Sequence, residues 1–134
     1  MIDFTSEQIS TIHTVFEQSN AGEIHFGEVI QQLISIGVES YTVDYRRGET
    51  TYYFPNGTSI RHHFETDATS IAEHFDISLV KQAILGAQSG QVMYPLFKAL
   101  TYQAGCIGYS VWITGKNVQY FGRFGEIHLE KFPQ

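Results

Sequence analysis

A single cysteine, Cys106, in a chain of 134 residues excludes an internal disulfide, so the fold must stand on packing and hydrogen bonds alone. Basic residues are scarce too: eight Lys and Arg face fourteen Asp and Glu, for a net charge of -6 and a pI near 5.4. Holding phosphate backbones needs clustered Lys and Arg, and here they are scattered, which argues against a nucleic-acid partner. No apolar run has the length needed to span a bilayer, and Met1-Ile2-Asp3-Phe4-Thr5 lacks the basic and apolar regions of a signal peptide. A cytoplasmic protein without a membrane segment is expected.

Catalytic signatures are missing as well. There is no Cys pair, no His-Glu helix motif and no nucleophile motif, and Asp44, Glu49 and Glu65 fall at strand ends or turns with no evident cause for a shifted pKa. Gly122-Arg123-Phe124-Gly125 reads as a hairpin turn and not as a phosphate-cradling loop. Arg61-His62-His63 is the one cluster with metal-like chemistry, but neighbours in a strand point to opposite faces, so His62 and His63 cannot both grip one ion without distortion, and a further ligand would have to come from His25, His74 or His128. No metal and no cofactor is expected.

What the chain has is aromatic residues and a repeat. Eight Tyr and ten Phe lie in a composition that is 43% hydrophobic, enough for a core and favourable to sheet. Gly37-Val38-Glu39-Ser40-Tyr41-Thr42-Val43 returns 68 residues later as Gly105-Cys106-Ile107-Gly108-Tyr109-Ser110-Val111. The same offset, without gaps, pairs Ile9 with Ile77, Gly22 with Gly90, Phe26 with Tyr94, Tyr52 with Tyr120, Tyr53 with Phe121 and Gly57 with Gly125. The matches fall at glycines and large apolar side chains, where backbone geometry and packing restrict choice most. Cys106 pairs with Val38, which makes it a small buried hydrophobe.

Each unit reads as helix, helix, then a three-stranded meander. Thr5-Ser6-Glu7-Gln8 has the form of a capping box, opening a helix to about Ser19 with Ile9, Ile12, Val15 and Phe16 on a buried stripe. A second helix, about Gly27 to Ile36, buries Val29, Ile30, Leu33 and Ile34, and Gly37 stops it. Period-two strands follow at Glu39–Tyr45, Thr50–Phe54 and Thr58–Phe64, with Tyr41, Val43 and Tyr45 on one face. Asp76 caps the first helix of the second unit, and Pro95 suits the first position of the next. Strands near Ile107–Ile113, Val118–Phe121 and Glu126–Glu130 complete it. In the last strand Ile60 pairs with His128 and Arg61 with Leu129, which predicts that the inward face slips by one residue between the units.

The expected fold is therefore α+β: one domain, 1–134, of two tandem helix-helix-three-strand repeats (about 1–66 and 67–134) related by a pseudo-twofold, with helices on one side of an antiparallel sheet. Tyr53, Trp112 and Phe121 alternate away from the core and form a candidate contact patch on the open face. With no catalytic cluster, a non-enzymatic binding or interaction module is the first reading. It would use that face or the groove between repeats to hold a protein or small ligand, or to form a homodimer. A small enzyme or metal protein with a site between the repeats is the second.

Several stretches resemble a small bacterial family of unknown function, the YdfO/YbcV-like proteins, which are often prophage-borne and sometimes labelled phage envelope protein. They are Ile71-Ala72-Glu73-His74-Phe75, Lys81-Gln82-Ala83, Gln88-Ser89-Gly90, Ala104-Gly105 and Tyr120-Phe121-Gly122 through Glu130-Lys131-Phe132-Pro133. The resemblance covers nearly the whole chain. It implies a compact α+β fold and brings no assigned catalytic residue.

Overall fold

Thr5 begins the first helix as the sequence requires. Its hydroxyl accepts from the Gln8 backbone N–H, and the Gln8 side chain accepts from the Thr5 N–H, satisfying donors that a helix start leaves open. The computed structural model describes residues 4–133, so Met1, Ile2 and Asp3 of the stretch read for a signal, and Gln134, lie outside the described residues. Within them the order is α1 (Ser6–Asn20), α2 (Phe26–Ser35), β1 (Ser40–Asp44), β2 (Glu49–Tyr53), β3 (Ser59–His63), α3 (Ile77–Gln88), α4 (Tyr94–Gln103), β4 (Cys106–Trp112), β5 (Asn117–Gly122) and β6 (Ile127–Lys131). The polar joint between the halves is not slack: Asp67 accepts from Thr69 and Ser70 and caps a 3₁₀ turn at Ala68–Ser70.

The six strands form one antiparallel sheet in the order β3-β2-β1-β4-β5-β6, so two hairpin meanders meet edge to edge at β1 and β4. The fold is thus α+β, with four α-helices and a six-stranded antiparallel sheet among the described residues. The core lies between the helices and one face of that sheet. Tyr41, Val43, Tyr45, Tyr52, Tyr109, Val111, Val118 and Tyr120 point into it and meet Ile12, Val15, Leu33, Val80, Ala83 and Ile84 from the helices. Cys106 is buried there as a small hydrophobe, and burial pushes its thiol pKa up to about 12, out of the reactive range.

Four expectations need correction. Ile9 and Ile34, assigned to buried stripes, are exposed: each lies beside the stripe that Ile12, Val15 and Phe16, or Val29, Ile30 and Leu33, fill. The predicted slip in the last strand does not occur. Ile60 opposes Tyr52 and His128 opposes Tyr120, so both sit on the core side, and Leu129 is exposed on the other face. His128 tolerates that position because its ring stacks on Tyr120 and its Nε2 lies 3.1 Å from Glu130 Oε1. The register shift instead falls in β4, between Cys106 and Gly108. Glu49 is not an unremarkable surface carboxylate: it is buried, and a 3.1 Å hydrogen bond from Arg47 holds its carboxyl below the usual range. Lastly, Pro95 is the second residue of α4, which starts at Tyr94.

Candidate functional site

A close-packed core leaves few voids larger than a water molecule. Between the helices and the core face of the sheet this chain leaves a cavity of about 650 Å³, inside the roughly 300–1,000 Å³ range of small-molecule sites. Both halves line it. Val15, Phe16, Ile24, Val29 and Ile30 come from the first helix pair, Ile84, Ala87, Val92 and Phe97 from the second, and Val43 and Val111 from the two central strands. Exposed or half-buried residues around Ser19–Gly27, Gln88–Met93 and Glu130–Pro133 form its rim, where Phe132 meets Phe26 edge to face at 5.7 Å.

The buried polar groups of this cavity are five tyrosine hydroxyls and that of Thr50, while Ser19, Asn20, His25, Gln31, Gln88 and Ser89 are exposed or half-buried. Tyr41, Tyr52, Tyr94, Tyr109 and Tyr120 all line it, and burial, first among the causes, raises the pKa of each, so all are neutral donors. Tyr109 donates to the Tyr94 hydroxyl through a 2.9 Å hydrogen bond, which satisfies the Tyr109 proton. Tyr45, deeper in the core, is satisfied by Thr101 at 2.7 Å. Tyr41, Tyr52 and Tyr120 differ. They are only 6%, 4% and 6% exposed, and none of their hydroxyls has a hydrogen-bond partner among the described residues.

A buried tyrosine hydroxyl ordinarily finds a partner. Among the described residues, the buried side-chain polar atom left with neither partner nor accessible surface is Asn117 Oδ1, so the three tyrosine hydroxyls keep access to the cavity. Position 26, which is 68 residues before Tyr94, holds Phe26 and offers no hydroxyl to Tyr41, as Tyr94 does to Tyr109.

Of the patch residues named from sequence, Tyr53 and Trp112 flank Ser40 in one cross-strand row of the face away from the cavity. Their backbones are thus about 10 Å apart at ordinary strand spacing. They are 39% and 41% exposed. Trp112 donates from Nε1 to Gln119 Oε1 at 3.2 Å. Phe121 is not brought to them: it opposes Gly108 at the other end of the sheet and is half-buried. His62 and His63 go to opposite faces, His62 stacked on Phe16 at 4.9 Å and His63 out toward Glu49 at 3.9 Å. No group of three or more His, Cys, Asp or Glu suited to a metal occurs among the described residues.

Sequence reasoning placed Tyr41 and Tyr109 in the core but did not see a cavity. The available signal was tyrosine, in place of phenylalanine or leucine, at inward positions 41, 52, 109 and 120. A hydroxyl on a core-facing ring needs a partner, and the number of such rings exceeds what the flanking sequence can supply.

Fold and cavity together define an α+β protein with a tyrosine-lined cavity open at its rim and, among the described residues, no helix long and apolar enough to cross a membrane. Residues 13–131 match the family described as Protein of unknown function (DUF1398), and the chain belongs to that family. No curated protein matches it.

Proposed function

We propose that the chain is a non-enzymatic binding module that holds a small, largely apolar molecule in the cavity between its helices and sheet. The observation that carries this reading is the 650 Å³ chamber, apolar in most of its walls and faced by three buried tyrosine hydroxyls without partners among the described residues. The direct test fills the chamber. Ala87, half-buried and on the cavity wall, is replaced by Phe. A neutral solvatochromic naphthyl ketone should bind the unaltered protein with a blue-shifted emission and lose that binding in Ala87→Phe. Equal binding by a folded Ala87→Phe protein sinks the reading.

The same proposal includes its architecture. We infer one domain of two tandem units, about 1–66 and 67–134, related by an axis between β1 and β4. Support comes from the ungapped 68-residue offset, the order β3-β2-β1-β4-β5-β6, and the opposition of Thr42 to Ser110, each the other's counterpart under that offset. The bacterial, prophage-related and cytoplasmic setting rests on the resemblance noted above and on the composition.

A second copy of the chain is the occupant we assign to the outer sheet face, as a second reading. Tyr53 and Trp112, with Ile127 and Leu129 further along, leave apolar surface exposed on that face, and Phe121 borders it. Sedimentation should show concentration-dependent dimers that Trp112→Ala weakens, and a monomer at all concentrations ends this reading.

A further inference from the structure

We propose that the ligand is uncharged and carries one or two hydrogen-bond-accepting oxygens, of the ketone or ester kind, which the Tyr41–Tyr52 pair and Tyr120 receive from the sheet side of the cavity. This rests on the reading of the chamber as a ligand site and names the chemistry that site selects.

The argument starts from what the walls can offer. The lining carries no Lys, Arg, Asp or Glu other than Glu130 and Lys131, both at the rim. An ionised ligand seated inside would leave water for a region without a counter-charge, a cost that only pairing offsets. A pure hydrocarbon would suit the valine, isoleucine and phenylalanine walls, yet it would displace water from three buried hydroxyls and leave them unsatisfied. A neutral molecule with one or two acceptor oxygens satisfies both conditions.

Two of the free hydroxyls are neighbours: Tyr41 and Tyr52 are cross-strand partners with ring centroids 5.5 Å apart, while Tyr120 lies across the β1–β4 seam on β5, its ring 5.6 Å from Tyr109. Tyr109 already donates its proton to Tyr94 and is not available in the same way. One acceptor oxygen is therefore expected at the Tyr41–Tyr52 pair, and a second oxygen, where the ligand has one, at Tyr120. Phenolic donors with raised pKa values stay protonated throughout the neutral range, which keeps them donors to a carbonyl.

Three probes of matched ring system test this in the intact chain: a neutral naphthyl ketone, the corresponding alkylnaphthalene, and an anionic naphthalenesulfonate. Affinities are measured by calorimetry for the unaltered protein and for Tyr41→Phe, Tyr52→Phe and Tyr120→Phe, with thermal unfolding to verify each fold. The ketone should bind most tightly. Loss of the hydroxyl at Tyr41 or Tyr52 should weaken it about three- to tenfold, the range expected for one hydrogen bond, and leave the alkylnaphthalene unchanged. Equal binding of ketone and hydrocarbon, with no effect of the Phe variants, overturns the hydroxyl assignment and leaves the cavity reading standing. Tightest binding of the sulfonate overturns the claim of an uncharged ligand. Binding of none of the three overturns the site itself.

Discussion

The hydroxyls of Thr42 and Ser110, 68 residues apart in the chain, lie 3.0 Å from each other across the central strand pair. Ser110 is buried and Thr42 half-buried, on the sheet face away from the cavity.

Removing one partner of this pair should cost more than its share. Thr42→Val strands the Ser110 hydroxyl, for a loss of about 1 kcal/mol, and Ser110→Ala acts in the same direction. The double variant should recover part of the sum, giving a coupling of ~0.5–1 kcal/mol in a double-mutant cycle read by urea unfolding. Strict additivity would show that the two hydroxyls do not interact in solution.

Tyr45 and Thr101 should respond asymmetrically. Thr101 Oγ1 sits 3.0 Å from the carbonyls of Phe97 and Lys98, so after Tyr45→Phe its proton still has an acceptor. Thr101→Val leaves the fully buried Tyr45 hydroxyl without that partner. The first change should cost about 1 kcal/mol and the second up to about 3 kcal/mol. Paired denaturation curves decide the order.

Gly37 and Gly105 both take left-handed backbone, with φ of +88° and +83°. A Cβ at Gly37 would meet nothing within 4 Å, whereas one at Gly105 would come within 2.2 Å of the His74 carbonyl oxygen. Gly37→Ala should therefore lose only the conformational term of about 1–2 kcal/mol. Gly105→Ala should lose clearly more, because the His74–Phe75 backbone must move. Similar melting temperatures for the two variants would contradict this packing.

Glu49 makes stability depend on pH at the acid end. Its folded pKa is depressed, first by the Arg47 hydrogen bond, so the folded state binds a proton less readily than the unfolded chain. The contribution is present above the unfolded value of about 4.3 and disappears as pH falls through the lower folded value. Arg47 is largely exposed, so salt should reduce the effect. Urea midpoints between pH 3 and pH 7 should fall less steeply at the acid end for Glu49→Gln than for the unaltered protein.

Much of the fold was legible locally. The capping box at Thr5–Gln8, the glycine stop at Gly37 and the period-two burial of Tyr41, Val43 and Tyr45 are short-range consequences of side-chain shape and backbone freedom, and they appear where the residues require. Local reasoning failed where several elements compete for one space. Ile9 and Ile34 are apolar at nearly the right spacing, yet the helix faces that reach the sheet exclude them.

By itself, the sequence determined the order and type of the helices and strands, the inward face of β1 and the absence of a clustered charge or catalytic motif. Only the tertiary structure decided that β1 lies beside β4, that His128 turns inward, and that the helix pairs stand far enough from the sheet to leave about 650 Å³ between them. The physical reason is range. Caps, turns and strand periods act over a few residues, whereas a cavity is the volume left after every element has packed. Tyr41, Tyr52 and Tyr120 therefore read as ordinary core aromatics until the packed fold shows that, among the described residues, none meets their hydroxyls.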